Sequence, residues 1–201
     1  MSGHVYVRLS GFGATITPCA PFRISRSGAD GAGLRVTCAN GEASLDCSRG
    51  LPAPVRGVVD VSKGTFAGSW RLETSVYASP WPTAFDLVST LDEASAAGYD
   101  LIGPMGSVIY VQGPFRLTRL PALDSVVGPG QAVCARGTAG ALDWIRLSYE
   151  HEGAAWEQAH MLVRLPAFGL AVTSQAPQVM ADEAFAAART VAAGLCALVS
   201  T

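Results

Sequence analysis

The sequence predicts one α+β domain, with an antiparallel sheet of six or more strands and two main helices at about 84–97 and 182–199. Three observations predict it. Between Gln131 and Gln175, short runs that alternate apolar and polar residues are separated by turn residues. Directly after them Phe185, Ala188, Ala192, Leu195 and Val199 recur at spacings of three and four, the stripe of a helix packed on a core. Near the start, Leu34, Val36 and Cys38 alternate into Asn40-Gly41, a two-residue hairpin signal.

In chain order, residues 4–9 alternate, with His4, Tyr6 and Arg8 on one face and Val5, Val7 and Leu9 on the other. Residues 14–25 form a second extended stretch that Pro18 and Pro21 confine to an edge or irregular path. Residues 26–33 read as a loop before the Asn40-Gly41 hairpin, which returns along 42–47. Gly50, Pro52, Pro54 and Gly57 make a connection. Short strands follow at 58–61 and 65–72 around Lys63-Gly64, and another at 73–78. Pro80 and Pro82 stop it. Thr83 with Asp86 three residues on resembles a capping box, and Phe85, Val88 and Leu91 then share a helical face up to Gly98. The stretch 99–123 holds one strand, about 107–111, between loops. Strands at 131–137, 142–149, 156–165 and 170–175 lead into the last helix, whose Asp182 and Glu183 suit the positive end of the helix dipole. The whole chain, 1–201, reads as one domain with a hairpin-rich part at 1–80 and a second part at 84–201.

Apolar residues make up 49% of the chain and charged ones 15%, with a formal net charge of −2. That balance supports a large core and argues against disorder. The few basic residues are scattered, so no basic face is available to neutralise phosphates, which argues against nucleic acid as a partner. No apolar run reaches the length of a membrane span, and the N-terminal residues lack the charged and apolar blocks of a signal peptide. The expected location is the cytoplasm. The five cysteines, with no CxxC pair, read as free thiols. A turn at Asn40-Gly41 places Cys38 opposite Ala43 rather than Cys47, which argues against a bridge between the close pair.

The C-terminal block also carries a resemblance. Trp144 lies in a strand; a polar turn follows, then Trp156-Glu157-Gln158-Ala159-His160, a turn at Gly169 and Leu170 to Pro177. An Ala-rich helix closes the series. This arrangement resembles the C-terminal half of the Mog1/PsbP-like superfamily, and within it the DcrB-like branch that includes effector-associated chaperones of type VI secretion. Trp144, Gln158, Thr173, Ala176 and Pro177 occupy the matching positions, and the helix at 84–97 would match the family's first helix. The resemblance spans 84–201 in pattern and 142–177 in recognisable residues. Its N-terminal 80 residues are longer and richer in hairpins than the family's usual start, and a proline-glycine-tryptophan entry is missing.

His151, Glu152, Glu157 and His160 cluster around a turn, yet Glu157 and His160 are three apart on a strand and so point to opposite faces. That spacing opposes a metal or acid–base site. Cys134 and Cys196 read as core thiols, while Cys38 and Cys47 lie near turns where exposure is expected; none sits in a nucleophile motif. The glycines at 11–13 and 28–33 do not join a strand to a helix, as a phosphate cradle requires. The expectation is a protein that is not an enzyme and has no cofactor.

The expected function is that of a protein-binding adaptor or chaperone-like module that shields a hydrophobic segment of a partner. The resemblance implies a secreted effector as that partner, and a homodimer. Trp81, Tyr110, Phe115, Arg116 and Arg119 are the expected contact residues, since aromatic and arginine side chains anchor interfaces. The alternatives are a carrier of a small apolar ligand or lipid, held between sheet and helix, and a structural subunit of a phage or secretion assembly.

Overall fold

The computed structural model describes residues 4–8, 14–28, 33–47, 57–63, 70–90 and 98–198. The first eight strands are β1 (Val5–Arg8), β2 (Ala14–Thr17), β3 (Phe22–Ser27), β4 (Gly33–Cys38), β5 (Gly41–Asp46), β6 (Asp60–Lys63), β7 (Arg71–Thr74) and β8 (Tyr77–Pro80). Seven more follow: β9 (Asp86–Ser89), β10 (Tyr99–Ile102), β11 (Val108–Phe115), β12 (Ala132–Ala139), β13 (Leu142–His151), β14 (Ala154–Arg164) and β15 (Gly169–Pro177). One helix, α1 (Ala181–Ala193), precedes β16 (Cys196–Ala197). The strands form two antiparallel sheets, ordered β16-β8-β7-β1-β2-β6 and β12-β13-β14-β15-β11-β10-β9-β3-β4-β5.

The protein is therefore mostly β, with a single short helix among the described residues, and not the α+β fold with two main helices that the sequence suggests. The expected helix at 84–97 is replaced in its first part by β9, and residues 91–97 lie outside the described residues. The reason is local. Phe85, Leu87 and Ser89 are buried while Asp86 and Val88 are half-exposed, a period of two rather than 3.6. β9 also has neighbours on both sides, since Val88 stands opposite Arg23 and Asp100. Two strand ladders offer its backbone more than a short isolated helix would. Thr83 caps nothing; its Oγ1 accepts a hydrogen bond from Arg26 Nη1 at 3.2 Å.

The second expected helix ends at Ala193 instead of running to 199. Gly194 turns the chain against Pro80: a Cβ at Gly194 would stand 2.3 Å from Pro80 Cγ. From there Cys196 and Ala197 pair with Ala78 and Tyr77 and extend the smaller sheet. Val199 of the expected stripe lies outside the described residues.

Other boundaries moved for equally simple reasons. Pro18–Pro21 divide 14–25 into β2 and β3, which belong to different sheets. The hairpin turn is Ala39-Asn40, so Cys38 stands opposite Gly41, and Ala43 faces Val36. The stretch after Gly98 holds two strands, because Gly103 to Ser107 is itself a tight turn, closed by Gly103 N donating to Ser107 O at 2.8 Å. The expected strand at 65–72 falls partly on residues 64–69, outside the described residues.

One hydrophobic core runs between the sheets. It joins Val7 and Ile16 of the smaller sheet to Leu34, Leu87, Leu101 and Ile109 of the larger one. Burying such side chains is worth about 25 cal/mol per Å² of apolar surface. At the C-terminal end of the larger sheet α1 takes over as cover. Ala181, Ala184, Ala188, Val191 and Ala192 are its buried side, and their small side chains let it lie close to the strands. Phe185 meets Trp144 edge-on with ring centroids 5.1 Å apart. The opposite face of β13–β15 is crossed by the segment 116–131, whose Leu120 leaves no room for a Cβ on Gly169.

Candidate functional site

The five residues expected to contact a partner separate into three environments. Trp81 is 4% exposed and belongs to the core. Its indole Nε1 donates to Phe85 O at 2.8 Å, and its ring stands edge-on to Trp70 at 5.7 Å. The Arg26 guanidinium carbon lies 4.6 Å from the Trp81 ring and 5.1 Å from the Trp70 ring. One guanidinium nitrogen also donates to the Trp81 carbonyl oxygen. Burial lowers the Arg26 pKa to about 10, still leaving it a cation at neutral pH. In this arrangement the Trp81 ring is closed to a partner and acts as a structural plug.

Phe115 ends β11 half-buried, and Arg116 and Arg119 are exposed around the turn Leu117–Arg119. Leu117, 45% exposed, lies between them. These residues do share one stretch of surface. Tyr110 is apart from them, half-buried on β11 and opposite Thr173 on β15.

Tyr110 belongs to a polar lattice that the sequence reading missed. Its hydroxyl bonds to Thr173 and Gln158, and burial raises its pKa. His160 Nδ1 lies 3.0 Å from Thr173 Oγ1. Gln131, from the crossing segment, donates to Gln158 Oε1 at 2.9 Å and accepts from Gly128 N at 2.8 Å. Gln175 donates to the Tyr149 hydroxyl. Burial lowers the His160 pKa to about 4, so the ring is neutral at pH 7, and its buried Nε2 has no hydrogen-bond partner among the described residues. The lattice couples four adjacent strands, β13, β14, β15 and β11, through neutral groups. Among the described residues the histidine's side-chain partner is the Thr173 hydroxyl rather than a thiol or a carboxylate. Alternation in β14 and β15 was the available signal, but polar residues at every second position also describe a solvated face.

The parity argument on β14 holds. Glu157 points to the face that carries α1, where its Oε2 lies 3.0 Å from Arg146 Nε. His160 points to the other face. The thiols are placed otherwise than the sequence suggests: Cys134 is exposed, Cys196 is half-buried in β16, and Cys38 and Cys47 are buried. All are free. Burial raises the Cys47 pKa to about 11, with Asp46 adding to the effect, which makes a nucleophilic thiolate unfavourable there.

An open backbone edge is offered by β12, which ends the ten-stranded sheet on one side as β5 does on the other. Its eight residues, Ala-Val-Cys-Ala-Arg-Gly-Thr-Ala, pair with β13 on one side, and no described strand pairs with the other. Six of these positions are exposed, and the register shifts between Val133 and Ala135. Arg136 reaches Asp124 at 3.3 Å, which ties the strand to the turn Leu123–Val126 of the crossing segment. Val133 is 40% exposed and Val127 36%.

No family model and no curated protein matches this chain. Among solved structures it is similar to LpqN of Mycobacterium tuberculosis, a protein described as involved in cell envelope biogenesis. The two are 15% identical with a TM-score of 0.42, over 61% of this chain and 83% of that one. An overlap at that level carries no argument about activity.

Proposed function

We propose that this protein is a non-enzymatic binding module that takes up an extended, largely apolar segment of a partner protein along β12. The observation that carries this reading is the open edge itself. Natural sheets blunt their edges with lysines, prolines, bulges, short strands or a covering element, and β12 carries one such irregularity, between Val133 and Ala135. β12 is eight residues long and has no lysine or proline. Its single arginine is engaged with Asp124. Unpaired backbone N–H and C=O groups along such an edge form a ready ladder for an incoming strand, and side chains such as Val133 select its apolar residues. Arg116, Leu117 and Arg119, exposed at the start of the crossing segment, are further contact candidates.

The Trp144, Gln158 and Thr173–Pro177 arrangement supports the same direction, because it resembles the DcrB-like branch of the Mog1/PsbP-like superfamily. On that reading the partner is a hydrophobic segment of a secreted effector, and the module works as a cytoplasmic homodimer.

The test is a displayed library of ten-residue segments selected on the wild-type protein and on a variant with Ala132→Lys and Val133→Lys. Selected segments should alternate apolar and polar residues, slow hydrogen exchange at 132–139, and bind the variant at least tenfold more weakly. Segments that bind both proteins equally and leave exchange at 132–139 unchanged would refute the edge as the docking surface.

A further inference from the structure

A second surface, which meets β12 only at its last residue, Ala139, does not rest on the edge reading. Between the C-terminal half of α1 and the ends of β13 and β14 lies a groove of about 600 Å³. That size falls inside the roughly 300–1,000 Å³ span of small-molecule sites. Its walls include Leu142, Val163, Leu165 and Leu195, with Arg164 and Arg189 also on the lining. The two arginines are not equivalent. Arg164 is already held by Asp143 at 2.8 Å. Arg189 is exposed, forms no ion pair among the described residues, and has only a distant contact with the Phe185 ring at 5.8 Å.

An apolar trough with one uncommitted cation on it is complementary to a molecule with one apolar chain and one negative head. We propose that the groove binds a single-chain anionic amphiphile, with the chain along Leu142, Val163, Leu165 and Leu195 and the head group on the Arg189 guanidinium. Charge complementarity selects among chains of equal length. A cationic head would face Arg189 across the groove, and a neutral head would leave it unpaired. A planar guanidinium can engage a carboxylate or a phosphate with two parallel hydrogen bonds. The shared chemistry therefore covers a free fatty acid and a lysophospholipid head group.

Isothermal titration calorimetry with decanoate, decyl maltoside and decyltrimethylammonium, each below its micelle concentration, tests the assignment. Decanoate should bind saturably at one per chain and at least tenfold more tightly than the other two. Arg189→Glu should remove that preference. Ala186→Trp, which places a bulky ring in the groove from an exposed helix position, should abolish binding while leaving the thermal midpoint unchanged. Lysophosphatidylglycerol in the same titration separates the sources: tighter binding than decanoate identifies a phospholipid, weaker binding a free carboxylate, and either supports the site. Absence of saturable binding by both anions would overturn the proposal, as would an Arg189→Glu variant that binds decanoate within twofold of wild type.

Discussion

Replacing Arg146 with methionine tests how α1 is fastened to the sheet. The Arg146 side chain is 18% exposed and that of Glu157 16%, so their ion pair is largely shielded from water. Two guanidinium nitrogens reach the same carboxylate oxygen, at 2.5 and 3.0 Å. A third contact goes to Asp182, in the first turn of α1, at 2.8 Å, and the guanidinium carbon lies 4.9 Å from the Phe185 ring. Asp182 is 91% exposed, so its part is small, no more than a few tenths of a kcal/mol in water. The large term is Glu157. Removing one partner of a fully buried pair costs about 3–5 kcal/mol, because the other charge is left without compensation. Residual exposure reduces that to about 2–4 kcal/mol here, and the methionine stem keeps most of the packing on Phe185. Urea unfolding measured side by side should show this loss. Adding Glu157→Gln to the Arg146→Met variant removes the stranded charge and should restore about half of it. A single variant within about 0.5 kcal/mol of wild type, or a double variant no more stable than the single, would refute the argument.

Three further predictions follow from the same geometry. The folded His160 has a pKa of about 4 against about 6.5 in an unfolded chain, so the unfolded state binds more protons between those values. Stability should fall as pH drops from about 6.5 to 4, and His160→Gln should flatten that part of the profile; an unchanged slope would place the titration elsewhere. A Cβ on Gly137 would stand 2.7 Å from the Trp144 ring, so Gly137→Ala should push the indole off its seat, shift its fluorescence and cost about 1–3 kcal/mol. Trp81→Ala should lower stability by about 3–5 kcal/mol, whereas Arg119→Ala should change stability by less than about 0.5 kcal/mol, and thermal or urea unfolding separates the two.

The C-terminal strands were legible because their apolar-rich runs are short and the turns between them carry their own chemistry. Glu152 and Gly153 both adopt positive φ, 52° and 76°, as a two-residue hairpin turn demands. The region around β9 was not legible, since Phe85, Val88 and Leu91 fit a helical spacing while Phe85, Leu87 and Ser89 fit a strand. Only the neighbours β3 and β10 decide between them, and a partner such as Arg23, 65 positions before Val88, leaves no local mark. The fate of Trp81 was hidden for a related reason. Its aromatic ring marked it as a contact residue, but Arg26, 55 positions earlier, and Trp70 close over that ring. The polar lattice around His160 is likewise assembled from four strands and a crossing segment, so no single stretch of sequence displays it.

The small pairing of β16 with β8 has a kinetic consequence. Cys196 meets Ala78 across 118 positions of chain, so the smaller sheet acquires its last strand only after the chain has been synthesised that far. A nascent chain would expose the outer edge of β8 throughout elongation of the larger sheet, and contacts this distant in sequence form slowly. During that interval the unfinished smaller sheet would be the part of the protein most open to pairing with another chain.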